Sequence, residues 1–186
     1  MIRQNGPAPK ALSAEDAVLS IVAASPHHEM RGKKRFHKTA FFCSYCDAPI
    51  EARFSIRQFG VFSNEIADAL DLLTTFGDLG LRDEQVGPNG YFVTVFSLPA
   101  GQEFKPNPVI AKIVRALADC STVTLEVAST VAFFLTHGRS ETDAVRETKH
   151  IKPDVTSPDQ VHKSKLLLKG LADLRASIHG QRPKNS

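Results

Sequence analysis

Tryptophan is absent from this chain and tyrosine occurs twice, which removes the broad aromatic platforms on which bases stack. The twelve phenylalanines read instead as core packing. Long apolar runs are missing as well. Val131–Leu135 is a run of five, far below the roughly 20 residues a membrane-spanning helix needs. Three cysteines, Cys43, Cys46 and Cys120, leave one unpaired. The apolar stretch at Val18–Ala24 is too short and too polar-flanked for a secretory leader, so a reducing cytoplasm is the expected compartment. There is no Gly-rich phosphate loop, nucleophile elbow or metalloprotease helix.

What is present is ordinary globular material: 42% apolar and 23% charged residues over 186 positions, enough for one domain, or for one domain with a helical extension. The net charge of +3 hides an asymmetry. Residues 1–40 carry +4, residues 41–120 carry −4 and residues 121–186 carry +3.

Local signals predict a mainly helical chain with a small β-hairpin or sheet. Residues 1–12 read as a flexible arm. Ser13 with Asp16 opens a helix to about Ala24, with Val18, Ile21 and Val22 on one face. A polar loop, His27–Gly32, leads to a second helix from about Lys34 to Cys46, with Phe36, Ala40, Phe41 and Cys43 inward and Lys38 solvated. Ala52–Phe59 alternates like a short strand. Ser63 caps a third helix through Phe76, whose Ile66, Leu70, Leu73 and Phe76 recur at helical spacing.

Gly87-Pro88-Asn89-Gly90 joins Leu81–Gln85 to Tyr91–Leu98 as a hairpin. The face bearing Phe92, Thr94, Phe96 and Leu98 is expected to be well buried, and the face bearing Tyr91, Val93, Val95 and Ser97 at least partly covered. Four helices follow: Asn107 to Asp119, Thr124 to Thr136, Ser140 to Lys149, and a last one from Ser157-Pro158. The organisation expected is an arm (1–12), a winged-helix-like unit (13–100), a helical extension packed on it (101–178) and a frayed tail (179–186).

Three segments carry a resemblance. Arg35-Phe36-His37-Lys38 heads an apolar helix. Phe59-Gly60-Val61-Phe62-Ser63-Asn64-Glu65 runs on to Leu70-Asp71-Leu72-Leu73 and Gly80-Leu81. Lys149-His150-Ile151-Lys152-Pro153 precedes Val161 and Leu166-Leu167-Leu168. In these patches, between residues 14 and 171, the chain resembles the YwgA-like bacterial proteins and, more distantly, Panacea antitoxin domains. Their "LQK" and "GPYS" are Phe36-His37-Lys38 and Gly60-Val61-Phe62-Ser63 here, so the glutamine is His37 and the proline is Val61. The resemblance implies the fold and no activity.

A winged-helix-like unit invites DNA binding, which charge argues against. DNA affinity rests on Lys and Arg neutralising phosphates. The third helix, in the recognition position, carries Glu65, Asp68 and Asp71 and no Lys or Arg. About sixteen residues separate it from the second helix, where about three or four are usual. That acidic face is a candidate protein-contact surface.

Arg31, Lys33, Lys34, Arg35 and Lys38 form the candidate contact for an anion, a nucleic acid or an acidic partner, and His27, His28 and His37 would add charge at lower pH. Cys43-Ser44-Tyr45-Cys46 lacks the further ligands a structural zinc requires and sits at a helix end, so it reads as packing. The expectation is a non-enzymatic regulatory or interaction protein with no catalytic residue, cofactor or metal. Its partner is a protein, the alternative being a nucleic-acid-binding transcriptional regulator that uses residues 31–38. The Phe-rich second helix and Leu-rich last helix offer a homodimer seam.

Overall fold

The computed structural model describes residues 11–58, 60–87 and 90–180. Helix starts follow their caps. Helix α1 (Ala14–Ala24) begins where Ser13 Oγ accepts the Asp16 N–H at 3.1 Å. Helix α2 (Lys33–Tyr45) starts after Gly32, whose φ of 90° turns the chain sharply. Ser63 Oγ accepts the Ile66 N–H at the head of α3 (Asn64–Phe76), and Gly77 ends it in the left-handed region at φ 80°. Asn107, Ser121 and Ser140 cap α4 (Pro108–Leu117), α5 (Thr122–Thr136) and α6 (Glu141–Ile151) in the same way. Helix α7 (Pro158–Gly180) closes the described chain. No helix among the described residues is long and apolar enough to cross a membrane.

The strands are short: β1 (Glu29–Arg31), β2 (Ser55–Arg57), β3 (Gly60–Phe62), β4 (Gly80–Val86) and β5 (Tyr91–Ser97). Strand β5 pairs antiparallel with both β1 and β4, and β2 pairs with β3. The succession α1, β1, α2, α3, β4, β5 with sheet order β1-β5-β4 is compatible with a winged-helix-like unit, the β2–β3 ribbon being an insertion between α2 and α3.

Helix α2 is the centre of the molecule. Phe36, Ala40, Phe42 and Cys43 are fully buried, and Phe36 meets Phe96 of β5 edge-on at 5.6 Å. Each such ring is worth roughly 1.5–3 kcal/mol of burial. The same core takes Ile21 from α1, Ile66 from α3, Ile110 and Leu117 from α4, and Leu125 from α5, so it is continuous between the segments on either side of residue 100.

Several expectations need correction. The loop predicted at 27–32 contains β1, which adds a third strand beside the hairpin. The strand expected over Ala52–Phe59 contracts to Ser55–Arg57, because its partner β3 is only three residues long. Phe92, assigned inward, is 68% exposed: its face is covered only at the Phe96 end, where helices underlie the sheet. The second helix offers no dimer seam, since Phe36, Phe41 and Phe42 are spent on the chain's own core. Residues 1–10 and 181–186 lie outside the described residues. Leu12, placed in the arm, is bridged to the segment after α2, its N–H donating to Pro49 O and its carbonyl accepting from Glu51.

Candidate functional sites

The five basic residues expected to form one patch are pulled in different directions. Arg31, on β1, pairs with Glu84 of β4 at 2.5 Å. Arg35 turns toward the end of α4, where its guanidinium donates to the carbonyls of Leu117 (2.8 Å), Ala118 (2.8 Å) and Cys120 (2.5 Å). It caps three carbonyls at and just beyond that helix C-terminus, where a cation is favoured.

Lys38, expected in solvent, is 2% exposed and donates to Val61 O of β3 at 2.8 Å. Burial pulls its ammonium down to about 8; nearby Glu126 opposes the shift, and Lys152 and Lys34 add to it. Lys33 and Lys34, in the first turn of α2, are exposed as the sequence implied, and so is the Glu84-paired Arg31.

Those two lysines border a cavity of about 570 Å³ between α2, the β2–β3 ribbon and α3. His37, Lys38, Arg57, Gly60, Phe62, Ala67, Leu70 and Asp71 complete most of its wall. The His37 ring stacks on Phe62 at 4.3 Å, and the Arg57 guanidinium lies over the same ring at 4.6 Å while donating to Asn64 Oδ1. His37 is 6% exposed, and its Nδ1 is buried without a hydrogen-bond partner. Burial, then the charges of Lys38 and Lys33, hold its pKa down to about 4. This histidine is therefore neutral at mildly acidic pH, where the sequence suggested it would add charge.

Behind β3 lies a buried ion pair between Lys152 Nζ and Glu126. Gly60 passes over it with φ +88°, and a Cβ there would sit 3.0 Å from Lys152 Cε and 3.3 Å from Thr130 Oγ1. The backbone conformation favours glycine, and a Cβ would press on the Lys152 side chain.

The outer face of α3 and the β4–β5 hairpin also carry exposed apolar side chains. Asp68, Asp71 and Leu72 are exposed on α3, and Phe76 at its end is 72% exposed. On the hairpin, Leu81 is exposed along with Tyr91 (73%) and Phe92 (68%). Glu65 is turned to local work: Ser63 Oγ donates to it at 2.8 Å, and backbone and Ser63 hydrogen bonds hold its carboxyl below the usual range. The hairpin's Arg82 is engaged by Glu29 (2.9 Å) and Glu84 (2.6 Å). The exposed Phe76 and Phe92 escaped the sequence reading, which placed both inward from periodicity.

Cys43 and Cys46 are buried free thiols. Burial pushes Cys43 far up and Cys46 up to about 11, which disfavours the thiolate that redox or metal chemistry uses. Cys120 is half-buried and its thiol is raised by burial too. Among the described residues, no group of three or more His, Cys, Asp or Glu is placed to hold a metal ion. No protein-family model, no curated protein and no solved structure matches the chain.

Proposed function

We propose that the chain is a non-enzymatic interaction protein that binds a basic, partly apolar protein surface through the outer face of α3 and the β4–β5 hairpin. The observation that carries this reading is the exposure of Leu72 and Phe76 beside Asp68 and Asp71 on a helix without a Lys or Arg, with Tyr91 and Phe92 also exposed on the hairpin. Apolar side chains this exposed gain roughly 1.5–3 kcal/mol each when covered. A phosphate backbone would meet like charge there instead. The basic patch supports the nucleic-acid alternative less well, since Arg31 is paired with Glu84, Arg35 caps carbonyls and Lys38 is buried.

A photo-crosslinking side chain at position 76 or 92, used in cells, should yield an adduct with one protein. The same complex, remade from the two purified proteins, should weaken with salt. With Asp68→Lys and Asp71→Lys combined, it should weaken at least about tenfold. Absence of a reproducible adduct, together with salt-sensitive duplex DNA retention abolished by Lys33→Ala and Lys34→Ala, would replace this reading with the nucleic-acid one.

A further inference from the structure

We propose that the cavity between α2, the β2–β3 ribbon and α3 is a binding site for a small organic anion with an apolar body. The proposal rests on different observations from the docking surface and shares only Asp71 with it.

Charge comes first. Four cationic side chains, Lys33, Lys34, Lys38 and Arg57, line this one cavity against a single lining carboxylate, Asp71. Cations gathered around a partly enclosed space repel one another more strongly than on an open surface, because less water screens them. An anion in that space converts the repulsion into attraction. Neutral or cationic occupants gain nothing from it.

Shape and apolar content narrow the class. A volume of about 570 Å³ lies within the roughly 300–1,000 Å³ range of small-molecule sites. Phe62, Leu70, Ala67 and Gly60 supply carbon surface and no charge. Such walls favour a carboxylate or phosphate carried on a hydrocarbon or ring system over a bare inorganic ion, which would leave them facing water.

His37 belongs to the same wall. It lines the cavity, is 6% exposed, and keeps a ring nitrogen buried with no partner. An unsatisfied buried polar atom costs roughly 1–3 kcal/mol, and native proteins carry few of them. With Nδ1 sealed from solvent, what the ring offers the cavity is an uncharged planar wall stacked on Phe62. The site is also braced. Lys38 is anchored on Val61 O, and Arg57 is held over Phe62 by Asn64, so both cations are positioned before any ligand arrives.

Three probes read the two halves of the claim separately: 2-naphthoate, its neutral counterpart 2-naphthalenemethanol, and inorganic sulfate. Calorimetric titration and amide NMR shifts on the full chain should show naphthoate binding saturably, at least about tenfold tighter than either of the others. The largest shifts should fall at residues 33–38, 60–62 and 67–71. Lys33→Ala, at an exposed position, and Ala67→Leu, which fills the cavity without changing charge, should each weaken naphthoate about fivefold or more.

Equal binding of the alcohol would remove the anion from the proposal, and equal binding of sulfate would remove the apolar body. No naphthoate binding, or shifts centred elsewhere, would overturn it. Displacement of naphthoate by a short DNA duplex would reassign the cavity to a phosphodiester contact and would overturn it as well. Should Ala67→Leu fail to fold, Lys33→Ala and the shift map decide.

Discussion

Lowering the pH should destabilise this protein through one imidazole, and the size of the effect follows from where that ring sits. His37 is packed on Phe62 between two lysines, and its pKa falls from an ordinary 6.5 to about 4. A base whose folded value is depressed is neutral in the native state while the unfolded chain takes up a proton. Stability is therefore intact above pH 6.5 and declines as the pH falls toward 4. A full shift of this size corresponds to ~3 kcal/mol, and ~2.5 kcal/mol of it is lost between pH 7.5 and 4.5.

Carboxylates also titrate toward the acid end of that range, Asp47, Glu65, Glu84 and Asp143 being held low by their partners. The informative quantity is thus a difference. Urea unfolding of the native chain and of His37→Gln should be compared at pH 7.5, 6.5, 5.5 and 4.5. Glutamine keeps a polar planar group without a titrating proton. The variant's stability relative to the native chain should rise by ~2.5 kcal/mol from the first pH to the last, whatever constant offset the packing change adds. A difference that stays flat to within about 0.5 kcal/mol would refute the placement of His37 in a dry, cation-flanked wall.

Arg35→Ala should cost about 2–3 kcal/mol in denaturant unfolding, since it strips three carbonyls at and just beyond the end of α4 of a charged donor; Arg35→Lys should recover only part, lacking the planar fork. Lys152→Met should cost about 3–5 kcal/mol by leaving Glu126 buried without its partner. Combining it with Glu126→Leu should cost less than the two single changes together, and strict additivity in that double-mutant cycle would count against the pair. Iodoacetamide, followed by mass spectrometry under native conditions, should label Cys120 first. Cys43 and Cys46 should react only on unfolding, and early labelling of Cys43 would contradict its burial.

Local chemistry was legible and long-range chemistry was not. The caps at Ser13, Ser63, Asn107 and Ser140 act within three residues of themselves, so four helix starts could be read directly. The hairpin was equally plain, because Asn89-Gly90 in the sequence favours a turn between the segments that become β4 and β5. Strand β1 was not, since three residues after two histidines with positive φ become a strand only by meeting Val95–Ser97 more than sixty positions later.

Periodicity gives a side chain's direction and not whether anything lies there. Phe76 and Phe92 point along faces that are covered elsewhere and open at their own positions. Lys38 failed in the opposite sense. A lysine in the first half of a helix reads as solvated, and nothing local shows that Val61 O and Glu126 will wait for it.

The same distinction explains how the candidate site changed character. Counted along the chain, residues 31–38 are one basic cluster, the usual footprint of phosphate binding. A helix start, however, spreads successive side chains around its axis by about 100° each. Arg35 therefore goes to α4 while Lys38 goes under β3 and Lys33 and Lys34 stay at the cavity rim. The segment Gly60–Phe62, which shares no charge with that cluster, then brings a backbone carbonyl and an aromatic ring onto it, with Arg57 following from β2. What reads as a surface patch for a long polyanion is thus divided between a helix cap, a buried anchor and one concave wall. A concave wall of that volume discriminates by ligand size as well as by charge, which a linear count of lysines and arginines cannot express.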